Sequence, residues 1–174
     1  MSRHARFAVT RTLIMAGLLS AGALWAQKDE QKERADLAKA IEAAKVSLES
    51  GLAASQREGT PISGKFEVEN GKLQLSVYTS KTGKFSEVVV DHITGSITKA
   101  EPITESEDLT AAKAQSDAMA KAKLSLQAAT LKAVNANKGF RAVSVIPSLK
   151  EAHSVAEITL VNGSTFKSVT EKLD

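Results

Sequence analysis

Lys65-Phe66-Glu67-Val68-Glu69-Asn70-Gly71-Lys72-Leu73-Gln74-Leu75-Ser76-Val77 alternates apolar and charged or polar residues on both sides of Asn70-Gly71. A period of two puts Phe66, Val68, Leu73, Leu75 and Val77 on one face of a pleated pair of strands. Asn-Gly is the pair that best tolerates the positive φ required at both central positions of a type I′ turn, so the stretch reads as a β-hairpin. A second turn follows at Lys81-Thr82-Gly83 and a third strand over 85–90. Asp91-His92-Ile93-Thr94-Gly95 then turns the chain into a short fourth strand around Ile97. The expectation is a four-stranded antiparallel meander.

Upstream, Leu37, Ile41, Ala44, Leu48 and Leu52 recur at helical spacing and predict one amphipathic helix, ended by Glu58-Gly59-Thr60-Pro61. Downstream, residues 99–108 read as a polar connection that contains Pro102 and Glu101, Glu105, Glu107 and Asp108, with Thr104 and Glu107 at capping-box spacing. Met119, Ala122, Leu126, Ala129 and Ala133 predict a second helix, stopped at Asn137-Lys138-Gly139. Strand-like residues follow over 140–146, then a break at 147–151, a strand over 155–161, the Asn162-Gly163 turn and a strand over 164–169. Ala44-Lys45-Val46-Ser47-Leu48 matches Ala122-Lys123-Leu124-Ser125-Leu126, which points to an internal duplication. The expected fold class is α+β: two repeated units, each one helix packed on a three- to four-stranded antiparallel sheet, unit 1 over 27–103 and a diverged unit 2 over 104–174. Units this small are expected to pack together or to extend one sheet across the pair, with beads on a linker as the alternative.

The first 26 residues carry Arg3, Arg6 and Arg11, then an apolar run from Leu13 to Trp25 that is too short to span a bilayer. That is the pattern of a cleavable secretory signal, cut after Ala26 or Ala23, and it predicts a periplasmic or secreted protein without a stable membrane anchor. The whole chain has 23 basic and 20 acidic residues, and loss of the signal removes three of the basic ones. A charge-balanced chain lacks the basic footprint of nucleic-acid binding. Cysteine is absent, so neither a disulfide nor a cysteine-borne lipid enters the expectation.

Motifs that carry chemistry are sparse. His92 and His153 lie in a turn and a loop without metal-ligand spacing and read as surface histidines, so no metal and no cofactor is expected. There is no Gly-x-Ser-x-Gly nucleophile turn, and Ser164 reads as a hairpin residue. Glu67 and Glu69 read as the solvated face of a strand, and Glu105, Glu107 and Asp108 as acids at a helix start. Glycines stand singly at turns, which excludes a phosphate loop. These residues argue against an enzyme. The rival expectation is a small-ligand or metal carrier that uses the groove between helix and sheet or an interface between the units, the latter lined by Phe140, Phe166 and their neighbours.

Gly83-Lys84-Phe85-Ser86-Glu87-Val88-Val89-Val90-Asp91-His92-Ile93-Thr94-Gly95-Ser96-Ile97, preceded by a helix and an Asn-Gly hairpin, resembles the PepSY domain family. Asp91, Thr94 and Gly95 match that family's Asp-x-x-Thr-Gly turn; they read as structural, since an Asp carboxylate accepts from the amides of its own turn and Gly supplies positive φ. The second half resembles a truncated copy without this motif. The resemblance implies binding without naming a partner; the leading expectation is a non-enzymatic protein that binds another protein, with restraint of an envelope peptidase as one form this could take. The strand over 64–69 and the turn over 78–84 are the expected contact regions.

Overall fold

The computed structural model describes the backbone of residues 21–174 and the side chains of 29–174. The export signal read over 1–26 lies largely outside the described residues. In chain order the elements are α1 (Ala21–Ala40), a 3-10 turn (Ile41–Ala43), α2 (Leu48–Ser55), β1 (Thr60–Glu69), β2 (Lys72–Lys81), β3 (Lys84–Val90), β4 (Ile97–Pro102), α3 (Ser106–Met119), α4 (Leu126–Ala136), β5 (Arg141–Lys150), β6 (His153–Asn162) and β7 (Thr165–Lys172).

The expected pair of separate helix-and-sheet units is corrected. Among the described residues, seven strands form one continuous antiparallel sheet in the order β4-β3-β2-β1-β5-β6-β7, and four helices pack on it as a single α+β domain. The physical reason lies in the two inner strands. Had the halves stayed apart, β1 and β5 would each have presented a row of unpaired amides and carbonyls; pairing them closes those edges where the two strands meet. The join is narrow. Only Gly64↔Val145 and Lys65↔Ser144 are in register across it, against nine register pairs between β1 and β2 and nine between β5 and β6. Each seam strand carries a bulge beside the join, between Pro61 and Ser63 in β1 and between Ala142 and Ser144 in β5.

Local chemistry recurs on the two sides of the seam. β1, β2 and β3 begin 81 residues before β5, β6 and β7 respectively. Asn70 and Gly71 both have positive φ, as a type I′ turn requires. The proline-bearing stretch 147–151 is not a break: Pro147 lies within β5 opposite Ala156. The β1–β5 ladder has already ended at Val145, so this proline stands where one side of its strand is unpaired.

The two expected long helices are each broken. Between α1 and α2 the chain passes through the 3-10 turn and an extended link, and α2 restarts at the cap Ser47, whose hydroxyl accepts from the Ser50 amide. Between α3 and α4 the same happens at Ser125, whose hydroxyl accepts from the Ala128 amide. The links are held alike. Lys45 and Val46 amides donate to the His92 carbonyl at 2.9 and 3.0 Å, and Lys123 and Leu124 amides donate to the Leu173 carbonyl at 2.6 and 2.9 Å. The five-residue sequence match is therefore a helix restart, not a helix interior. Nor does Thr104 cap α3; the cap position is Glu105, without a side-chain bond.

One apolar core lies between the sheet and the helices. Leu48 and Leu52 of α2, Leu126, Ala129 and Ala133 of α4, and Leu75, Val77, Val88, Val145, Ile158 and Leu160 of the strands are buried in it. Close approach of α2 is possible because Gly51 and Gly64 lack side chains: a Cβ on Gly51 would lie 2.5 Å from Leu75 Cδ2, and one on Gly64 would lie 3.2 Å from Leu52 Cδ2. Arg141, at the start of β5, donates to the carbonyls of Ile41 (2.9 Å), Ala44 (3.3 Å) and Val46 (3.2 Å), and its guanidinium lies 5.8 Å from the Phe66 ring centre.

Two stability measurements check this packing. Gly51→Ala in an open helix would gain roughly 1 kcal/mol. Here it should instead cost about 1–3 kcal/mol in chemical denaturation, because the added methyl overlaps Leu75. Arg141→Met should cost about 1.5–3 kcal/mol, since it strips charged donors from three backbone carbonyls while keeping an apolar stem.

Candidate functional site

Cross-strand pairs share a face of a sheet, so register decides which polar side chains meet. With Gly64, Phe66, Leu75, Val77 and Val88 turned to the core, the opposite face of strands β1 to β4 carries Lys65, Glu67, Gln74, Ser76, Tyr78, Glu87, Lys99 and Glu101. Glu87 stands directly opposite Tyr78 on one side and Glu101 on the other. Gln74 Nε2 donates to Ser76 Oγ at 2.8 Å, and Ser76 Oγ donates to Glu67 Oε1 at 3.2 Å. Lys65 Nζ lies 2.6 Å from Glu67 Oε2, and Lys99 Nζ lies 2.7 Å from Glu101 Oε2.

Within this array Glu87 is the unusual group. It is only 8% exposed. Burial pushes its carboxyl above the ordinary carboxylate value; a Ser76 bond pulls the other way, and the Glu67 charge adds to the rise. Ser76, whose hydroxyl donates to Glu67, is also the hydrogen-bond partner of Glu87. Tyr78 is pushed up by burial first and by Glu87 second, so its hydroxyl stays protonated at any physiological pH. Beside Glu87 a depression of about 400 Å³ opens on this face, lined by Glu69, Asn70, Gln74, Glu87, Val89, Thr98 and Lys99. A second hollow of about 260 Å³ lies where α2, β1, α3 and α4 meet, between Gln56, Pro61, Met119 and Gln127. A nearly buried carboxylate facing an open depression can accept a basic or hydrogen-bond-donating group from outside, because such a group would offset the loss of water around its charge.

The residues singled out in the sequence fall elsewhere. Asp91 Oδ1 accepts from the Ile93 and Thr94 amides at 2.8 and 2.7 Å, Thr94 Oγ1 accepts from the Ser96 amide at 3.3 Å, and Gly95 has φ +77°. Those two backbone bonds hold the Asp91 carboxyl below its ordinary value. The turn they build presents the His92 carbonyl to the link before α2. His92 Nδ1 is itself buried without a hydrogen-bond partner, so His92 is not simply a surface residue. His153 is exposed and pairs with Asp174 through Nδ1 at 2.7 Å. Among the described residues no group of three His, Asp or Glu side chains is placed to hold a metal ion. Phe140 and Phe166 pack against the main core, with the Arg34 guanidinium 5.6 Å from the Phe166 ring centre. Ser164 sits between Gly163 and β7, in the hairpin turn. The expected contact strand over 64–69 lies in β1, at the centre of the sheet between β2 and β5, with Gly64 and Lys65 paired to β5. Of the turn over 78–84, Tyr78 is half-buried while Lys81, Thr82, Gly83 and Lys84 form an exposed hairpin tip.

Glu87 went unnoticed in the sequence because a lone acid in an apolar strand has no local signature. The Asn70-Gly71 and Thr82-Gly83 turns fix the registers that bring Glu67, Ser76 and Glu87 together, so the signal was in the turn geometry.

A raised folded-state pKa means that the native state holds the proton more tightly, so ionised Glu87 opposes folding at neutral pH and ceases to do so once the pH falls below the unfolded carboxyl value. Glu87→Gln should therefore raise the thermal midpoint at pH 7, and the gain should shrink as the pH is lowered through 4.5. Asp91→Asn should behave oppositely. Its depressed pKa contributes stability above the unfolded value of 3.8 that is lost on acidification, so the variant should be less stable than the parent at pH 7 and converge with it in acid.

Comparison of the chain with family models, with curated proteins and with solved structures finds no match.

Proposed function

We propose that this chain is an exported, non-enzymatic PepSY-like protein that binds another protein and restrains an envelope peptidase, and that the partner docks over the depression beside β4. The observation that carries the reading is Glu87, a carboxylate almost withdrawn from water yet adjoining an open hollow. Support for export comes from the arginines and apolar run of the first 26 residues. Support for the PepSY-like organisation comes from the Asp91, Thr94 and Gly95 turn and its bonds to the link before α2.

The chemistry favours a basic side chain of the partner at this place. Glu69, Glu87 and Lys99 line the hollow and Glu67 and Glu101 flank it, so four acids stand against the three bases Lys65, Lys72 and Lys99 on this face. An arginine or lysine arriving there would lose water but gain a carboxylate already desolvated by the fold, so the cost of burying one partner of the pair has been met before binding. Side-chain docking also suits β4, which is short, bulged and closed by Pro102, and is therefore a poor template for a long added strand.

The test uses the protein made with its own N-terminus, immobilised and exposed to an extract of the envelope of its host. Expected is retention of a peptidase that the free protein also slows, with binding weakened by roughly 2 kcal/mol or more in Glu87→Gln. If no peptidase is slowed and no protein is retained, the reading fails; retention of a small cationic molecule instead would identify a ligand carrier.

A further inference from the structure

The sheet ends in two unlike edges. β4 has six residues, a register shift between Val89 and Val90 of its neighbour, and a terminal proline, all of which discourage a further strand. β7 has none of these. It pairs with β6 over eight consecutive residues, from Val155↔Lys172 to Asn162↔Thr165, without a bulge or a proline. Among the described elements β7 is the last strand on its side, and α4 packs on its face, where Lys132 Nζ reaches Glu171 Oε2 at 2.6 Å and Lys167 Nζ reaches Asn137 Oδ1 at 2.6 Å.

What guards this edge against unwanted pairing is charge, and the charges are placed symmetrically. Lys167 and Glu171 lie two residues on either side of Val169, on the same face of the strand. An antiparallel neighbour of identical sequence, set with Val169 opposite Val169, brings Lys167 opposite Glu171 twice and Ser168 opposite Thr170 twice. Opposite charges across a strand pair attract, and Ser and Thr hydroxyls pair with one another. A strand of another sequence would meet the same charges without this match.

We propose that β7 pairs with the β7 of a second copy about a two-fold axis through Val169, joining two seven-stranded sheets into one. The two helix layers then lie on the same side of the joined sheet, and each Glu171, already paired with Lys132, meets the other copy's Lys167. This surface lies across the sheet from the hollow beside Glu87, so the dimer stands or falls independently of the proposed partner. A contact of one strand length belongs to the small class of interfaces and should be reversible, with dissociation on the order of micromolar.

Sedimentation equilibrium over a range of protein concentrations, combined with amide hydrogen exchange, tests it. The parent protein should dimerise with added protection confined to residues 165–172. Lys167→Glu and Glu171→Lys each place like charges opposite one another and should each weaken self-association at least about tenfold. Mixed in equal amounts, the two variants should associate with each other as strongly as the parent does with itself, because one then carries two acids and the other two bases at the facing positions. Recovery in the mixture also shows that both variants are folded. A parent protein that stays monomeric, protection that falls on Ile97–Pro102 instead of β7, β7 protected only by a different protein, or a mixture no stronger than its components would each overturn the proposal.

Discussion

Two residue pairs, Gly64↔Val145 and Lys65↔Ser144, join the halves of the sheet, and the rest of the structure is arranged around making so short a ladder sufficient. Bulges on both strands bend the chain away on either side of the join. What the backbone does not supply, side chains do. α2 and α4 lie over the seam and share one core, with Leu48, Leu52, Leu126 and Ala129 buried together. Gly64 sits at the join because Leu48 and Leu52 come so close that a side chain there would crowd both. At one end of the seam Arg141 ties β5 to the link between the 3-10 turn and α2 through three carbonyls.

α3 ties the two sides from the other direction. Its Gln115 accepts from Ser63 of β1 at 2.7 Å, its Ser116 bonds Ser80 of β2, and its Ala118 carbonyl accepts from Ser154 of β6 at 2.9 Å. Ser63 and Ser154 are both buried, so these bonds spare polar atoms that would otherwise be stranded. The helix that a sequence pattern assigns to one half thus holds strands of both, and that is the physical sense in which the molecule is one domain.

The polar face over β1 to β4 is what α2 and α4 leave uncovered, with α3 bonded to it at Ser63 and Ser80. α2 and α4 occupy the other face, so Glu67, Ser76 and Glu87 face away from the main core. Glu87 is only slightly exposed there, a charged group poorly solvated and yet adjoining the hollow beside it. Among the described elements β7 is the opposite edge, with α4 on its face and Arg34 of α1 over its Phe166 ring. Placement of both surfaces follows from strand order.

Local chemistry alone determined the strands and hairpin turns, since alternation and Asn70-Gly71 act over a few residues, and the Asp91, Thr94 and Gly95 turn closes on its own amides. The helices were legible as apolar stripes but not as broken: Leu37 and Ile41 face the same core as Leu48 and Leu52, so the spacing survives the break, and only the His92 and Leu173 carbonyls, far along the chain, reveal why the backbone departs from helix. Pro147 suggested a break because its tolerance depends on an end of ladder set by a distant strand. Tertiary structure alone decided the β1–β5 join, the environment of Glu87 and the freedom of β7. No turn connects β1 to β5, so their register is set by what packs across them, and a residue's burial is a property of neighbours that local sequence does not name.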